Sequence, residues 1–176
     1  LVLTVTMVLI LSGAVVILLL EHNNPGTLGN LPWYEKILAS IFQSVTTRTA
    51  GYCTIPQENL TNATAFFCIL FMVVGGSPSG TAGGIKTITL VVLVLAVVSI
   101  VQRKEHTEIY HRRIAENYIR KGLAVTLIYF FMLILFTMLL SIVEKAAFID
   151  ILYEVTSALS TVGLTRNITS SLSTPG

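Results

Sequence analysis

The sequence predicts an all-α membrane protein built from a repeated unit: spanning helix, short helix, tight turn, spanning helix. One of the spanning helices is interrupted. Three observations carry this expectation. The 176 residues are 53% hydrophobic and 11% charged, with a mean hydropathy of +0.80, whereas soluble domains carry roughly 25% charged residues. Uncharged runs of spanning length recur along the chain. A Gly-rich stretch, "VVGGSPSGTAGGIKTITL" (73–90), breaks the longest apolar run.

Residues 1–20 carry no charge, and a ~30 Å hydrocarbon core needs about 20 apolar residues as a helix. Residues 122–143 form a second uncharged run of spanning length. Between them, residues 62–101 contain a single charge, Lys86. As one straight helix this segment would be about 60 Å long at ~1.5 Å per residue, twice the core thickness. As two independent spans each half is too short. One span broken in the middle resolves the conflict, with half-helices at 63–74 and 86–101. The break holds Gly75, Gly76, Ser77, Pro78, Ser79, Gly80, Thr81, Ala82, Gly83 and Gly84. Gly and Pro are the weakest helix formers. Irregular backbone at membrane depth persists only where it lines a water-filled cavity or is buried in protein, so the break implies a cavity.

The loop 102–121 holds Arg103, Lys104, Arg112, Arg113, Arg120 and Lys121 against three acidic residues. Basic loops face the cytoplasm. The span 1–20 then runs outward, the broken span inward and 122–143 outward. The loop reads as a solvated basic segment, or as a short helix that meets a soluble partner or anionic lipid head groups. The net charge of +2 does not suggest a nucleic-acid binder, and no partner of that kind is expected. The chain starts at Leu1 without Met or a basic leader and stops after "STPG"; a piece of a longer polypeptide is expected rather than a signal peptide.

Two outer segments are too weakly apolar to span. Residues 33–48, "WYEKILASIFQSVTTR", follow Pro32 and show apolar residues at helical spacing. Residues 147–160, "AFIDILYEVTSALS", look alike. Each leads into a small-residue turn, "TAGYCT" from Thr49 and "TVGLTR" from Thr161. Superposing Gly51 on Gly163 also superposes Thr49 on Thr161. An internal repeat makes the turn an architectural position. Trp33 and Tyr34 suit an interfacial aromatic belt.

Other motifs give less. Residues 80–87 nearly match the phosphate-binding loop G-x-x-x-x-G-K-[ST], but Ile85 stands where the second Gly is required and the flanks are membrane-like. Cys53 and Cys68 have no metal-like spacing and form no disulfide framework. No Ser/His/Asp or Cys/His constellation points to catalysis, and no cofactor is expected.

"QSVTTRTAGYCTI" and "EVTSALSTVGLT" resemble the third and fourth pore-loop repeats of the Trk/Ktr/HKT superfamily of cation transporters, and "GGSPSGTAGGIKT" resembles the interrupted inner helix of the third repeat. The likeness is strongest to the Ktr-type potassium-uptake membrane subunit. It implies a potassium-channel-like fold of repeated helix–pore loop–helix units. Residues 1–101 would be the third repeat, with outer helix 1–20, pore helix and filter 33–54, and broken inner helix 62–101. Residues 102–121 would be a cytoplasmic loop. Residues 122–176 would be the fourth repeat without its inner helix, with outer helix 122–143 and pore helix and filter 147–166. The implied function is uptake of potassium or another monovalent cation across the cell membrane. The implied partners are the lipid bilayer, a second copy of the full-length subunit and a cytosolic nucleotide-binding regulatory ring.

The chemistry of such a filter is explicit. A dehydrated K⁺ needs oxygen ligands, and backbone carbonyls supply them where the chain turns them to one side. Gly accepts the positive φ this requires. Thr49, Ala50, Gly51 and Tyr52, with Thr161, Val162, Gly163 and Leu164, are the candidate ligands. Arg48 and Glu154 are candidate supports: they pair behind the filter, or Arg48 caps the end of its own helix. The break, together with Lys86, is the candidate gate. Lys86 is a barrier in a cation path, or it snorkels to the cytoplasmic interface. Two other classes compete: a secondary transporter with re-entrant hairpins, and a membrane assembly subunit without transport.

Overall fold

The computed structural model describes residues 2–76, 82–103, 108–109 and 112–169. Among the described residues six helices dominate: α1 (Val2–Glu21), α2 (Trp33–Thr46), α3 (Asn62–Val73), α4 (Thr87–Val101), α5 (Glu116–Val143) and α6 (Phe148–Leu159). A 3₁₀ turn, Gln57–Asn59, precedes α3. A small antiparallel pair, β1 (Glu108–Ile109) and β2 (Arg112–Arg113), lies between α4 and α5.

α1 and α5 are long and apolar enough to cross a membrane. The 20 residues of α1 reach about 30 Å. Both helices leave large apolar side chains exposed, among them Leu3, Leu11 and Leu19 on α1 and Leu127, Phe131 and Ile142 on α5. An apolar surface of that extent is untenable in water and ordinary in lipid. α5 starts at Glu116, six residues before the uncharged run begins. Glu116 sits in the first turn, where a negative charge is favoured by the helix dipole, and pairs with Arg120 at 3.4 Å. The basic segment before it holds the paired strands β1 and β2 where a short helix was one expectation.

The interrupted segment behaves as the lengths demand. α3 has 12 residues and α4 has 15. Their facing ends are stapled rather than splayed. Gly75 donates its N–H to the Ile85 carbonyl and Ile85 donates to the Val73 carbonyl, both at 2.9 Å. The result is a one-rung parallel bridge between Val74 and Ile85.

At its other end α3 is tied to α1. Glu21 is fully buried, and its carboxylate accepts from the Thr61 N–H and Thr61 Oγ1, both at 2.9 Å. It also accepts from Asn24 Nδ2 at 2.6 Å and Thr27 Oγ1 at 2.5 Å. Thr61 is the N-cap of α3, its hydroxyl accepting from the Thr64 N–H. A carboxylate at a helix N-terminus faces the positive end of the dipole, so Glu21 fixes where the broken segment begins.

The main core joins Leu28, Ile55 and Leu60 to Ala65, Cys68, Ile69 and Met72 of α3, Tyr153 of α6, and Val162 and Leu164 beyond it. A second cluster, Leu133, Ile151 and Val155, joins α5 to α6. α2 is inverted relative to a soluble amphipathic helix. It buries Lys36, Ser40, Gln43, Ser44 and Thr46 and exposes Leu38, Ile41 and Phe42.

Candidate functional site

Each short helix runs into a turn of the same construction. After α2, the Thr47 N–H returns to Gln43 O at 3.2 Å and the Ala50 N–H to Thr46 O at 3.2 Å. After α6, the Ser160 N–H returns to Thr156 O at 2.9 Å and the Val162 N–H to Ser157 O at 2.8 Å. In the first turn φ is positive at Thr49 (72°) and Gly51 (77°), and in the second at Thr161 (55°) and Gly163 (86°). The middle residues, Ala50 and Val162, are not among the positive-φ positions. In an ordinary strand successive carbonyls point to opposite sides. Alternating the sign of φ departs from the strand pattern, a departure that any backbone turning neighbouring carbonyls to one side needs. A β-branched Thr at positive φ is unusual and strained, and here it occurs twice at matching places.

The turns touch. A β-carbon built on Gly51 would lie 2.3 Å from the Val162 carbonyl oxygen. One built on Gly163 would meet the Gly51 Cα at 3.9 Å. Each turn is also laced to its own helix. Thr46 Oγ1 donates to the Tyr52 carbonyl and Ser157 Oγ to the Leu164 carbonyl, both at 2.6 Å. Those two carbonyls therefore face back toward α2 and α6. The candidate oxygens narrow to those of Thr49, Ala50 and Gly51, with Thr161, Val162 and Gly163.

The break packs against both turns. From the first, Arg48 Nη2 donates to Thr87 Oγ1 at 3.1 Å and lies 3.5 Å from the Gly75 carbonyl. Thr87 Oγ1 in turn donates to the carbonyls of Gly75 and Gly76 at 3.1 Å. From the second, Thr161 Oγ1 accepts from the Gly83 N–H at 2.9 Å. Gly83 comes so close to this turn that a β-carbon there would lie 2.5 Å from the Ser160 carbonyl. Lys86 immediately precedes α4, and its ammonium donates to the Ala82 carbonyl at 2.5 Å. The charge is thus folded back onto the break. Ser77, Pro78, Ser79, Gly80 and Thr81 lie outside the described residues. An open pocket of about 280 Å³ runs beside Arg48, Thr49, Ala50 and Gly76 and is closed on one side by Thr6 and Ile10 of α1.

Arg48 and Glu154 are not partners, which corrects one expectation. The Arg48 side chain points at the break, and only its backbone N–H returns to the end of α2, to the Val45 carbonyl at 3.0 Å. Glu154 accepts from Thr165 Oγ1, from the Arg166 N–H at 3.0 Å and from Thr169 Oγ1 at 2.9 Å. The cause is proximity: the chain leaving the second turn passes α6 at once and supplies all three donors. Beside the second turn a carboxylate does meet a cation: Arg166 Nε lies 2.9 Å from Asp150 Oδ1. Sequence reasoning also missed Glu21, Gln43, Gln57 and Tyr153, all polar and buried. Glutamines within otherwise apolar, membrane-associated segments were the available signal. Among the described residues there is no group of three His, Cys, Asp or Glu to hold a metal ion.

Two lipid-type helices, a stapled break in a third, and paired short helices ending in matched turns define a helical membrane protein. The chain belongs to the TrkH family, cation transport protein, which matches it over residues 1–174. It is 39% identical over its whole length to the Ktr system potassium uptake protein B of Bacillus subtilis (strain 168), covering 40% of that protein. It is 35% identical to the protein of the same name from Vibrio alginolyticus, over 97% of this chain and 38% of the relative. It is 33% identical to the potassium/sodium uptake protein NtpJ of Enterococcus hirae, over 99% of this chain and 39% of the relative. The chain thus spans about two-fifths of the length of these relatives.

Proposed function

We propose that the natural protein carrying this chain takes up potassium through a pore lined by backbone carbonyls of its Thr-x-Gly turns. The observation that carries this reading is the matched pair of turns, Thr49–Ala50–Gly51 and Thr161–Val162–Gly163, in contact at the ends of two short helices. Their carbonyls replace the water of a dehydrated cation. The C-terminal ends of α2 and α6 lead straight into the turns, and the negative end of each helix dipole favours a cation there. The family and the names of the relatives support a potassium substrate.

In this reading residues 1–101 and 122–176 are consecutive pore repeats of a multi-pass protein of the cell membrane. The break from Gly75 to Lys86 is the gate beneath the turns. Its support is the unwound backbone held against both of them by Arg48 and Thr161. Lys86 and Arg48 place positive charge in the cation path until the segment moves. Residues 102–121 face the cytoplasm and meet a nucleotide-binding ring, and the subunit pairs with a second copy of itself.

The test is K⁺ and Na⁺ flux in proteoliposomes containing the natural protein. Parent protein is expected to pass K⁺ in preference to Na⁺, and Gly51→Asp and Gly163→Asp to abolish selective uptake. Parent-like uptake and preference in both variants would show that these turns are not the filter.

A further inference from the structure

The two turns are set by two helices with different neighbours. α2 packs on α1, whereas α6 packs on α3 and α5. Among the described residues, the polar link between α2 and α6 runs through one side chain, Gln57, on the 3₁₀ turn. Gln57 Oε1 accepts from Gln43 Nε2 of α2 at 2.6 Å and from Tyr153 Oη of α6 at 2.9 Å. Gln57 Nε2 donates to Gln43 Oε1 at 3.1 Å and to the Ile55 carbonyl at 2.8 Å. Both lone pairs and both hydrogens of the amide are used, which leaves it a single orientation. Gln43 and Tyr153 are 0% exposed and Gln57 is 2% exposed.

The backbone beside Gln57 is held from the second turn as well. Arg166 stands three residues past Gly163. Its Nη2 lies 3.4 Å from the carbonyls of Glu58 and Leu60 while its Nε faces Asp150. The segment 57–60 is therefore gripped by groups from before the first turn, before the second turn and after the second turn.

We infer that Gln57 is the joint that fixes the spacing of the two Thr-x-Gly turns, and that its bonds to Gln43 and Tyr153 tune discrimination among monovalent cations. Gln43, Gln57 and Tyr153 are positioning residues: they touch no ion and act through the turns. This rests on the carbonyl-filter reading above. Cation preference depends on the spacing and field strength of the ligating oxygens. A buried, saturated hydrogen-bond node is a stiff way to hold such spacing. Tyr153→Phe deletes one bond to the node, keeps the ring in the core and leaves the remaining Gln57 bonds in place.

The experiment compares K⁺ over Na⁺ flux ratios in proteoliposomes for the natural protein, Tyr153→Phe and Ile69→Val. Ile69 lies in the same core and makes no part of the node. The ratio is expected to fall about fivefold in Tyr153→Phe, the factor carried by one ordinary net hydrogen bond, and to stay at the parent value in Ile69→Val. If Tyr153→Phe cannot be purified, the same ratio is read on Gln43→Met, which removes both amide–amide bonds at similar volume. A selective parent whose Tyr153→Phe variant keeps its ratio overturns this inference alone. So does an equal fall in Ile69→Val, which would mark a general packing effect. A parent with no cation preference overturns the filter reading and this inference with it.

Discussion

Gly51 lies with its Cα against the carbonyl oxygen of Val162, so close that a β-carbon on Gly51 would stand 2.3 Å from that oxygen. Two segments far apart in the chain thus meet backbone to backbone. The contact joins the two turns into one surface.

Gly51 and Gly163 should respond differently to alanine. Both have positive φ, which costs a non-Gly residue about 1–2 kcal/mol. Gly51→Ala adds a clash with backbone, whereas the nearest atom to a β-carbon on Gly163 is at 3.9 Å. Thermal unfolding in detergent should therefore show the larger loss for Gly51→Ala, with K⁺ uptake following the same order. A larger loss for Gly163→Ala would mean that the turns do not meet as described.

Arg48 should restrain the break. Arg48→Gln loses its reach to Thr87 Oγ1 and the Gly75 carbonyl and removes a charge beside the pocket. Cation flux per folded protein should rise, as it should on deletion of residues 78–82, and should depend less on any cytosolic regulator. Flux as low and as regulator-dependent as the parent in both variants would argue that the break is only structural.

The positions of the short helices and of the break are legible in the sequence because their causes are local. Helical spacing, Gly content and the length mismatch of residues 62–101 place α3 and α4 to within about a residue or two, the usual scatter of helix ends. The Thr-x-Gly pairs mark the positive-φ turns for the same reason. The partner of Arg48 is not legible. Glu154 is an obvious opposite charge, yet donors at 165–169 return past it, and only the tertiary path decides that. The buried polar face of α2 is hidden by the same logic: Ser40, Gln43 and Ser44 read as a wet face until the fold puts Leu38 and Phe42 outside.

Topology can be read by cysteine labelling in a Cys53→Ser background, since Cys53 is exposed and Cys68 buried. Gln102→Cys should react with an impermeant maleimide only from the cytoplasmic side, and Asn23→Cys only from outside. The reverse pattern would overturn the orientation drawn from the basic loop.

Asp150→Asn should weaken the fold near the second turn. Arg166 keeps 7% of its side-chain surface and Asp150 keeps 24%. Removing the carboxylate leaves a buried guanidinium without its counter-ion. The loss should be roughly 2–3 kcal/mol, below the ~3–5 kcal/mol of a fully buried pair. It would be read as the change in unfolding free energy in detergent, and a change near zero would mean the pair is not formed.

The most direct measurement is to locate Rb⁺ by anomalous scattering in crystals of the natural protein soaked with the ion. Rb⁺ is expected within coordination distance of carbonyl oxygens from both Thr49–Ala50–Gly51 and Thr161–Val162–Gly163. Ordered Rb⁺ held elsewhere, with neither turn contributing a carbonyl, would contradict the assignment of these turns as the cation filter.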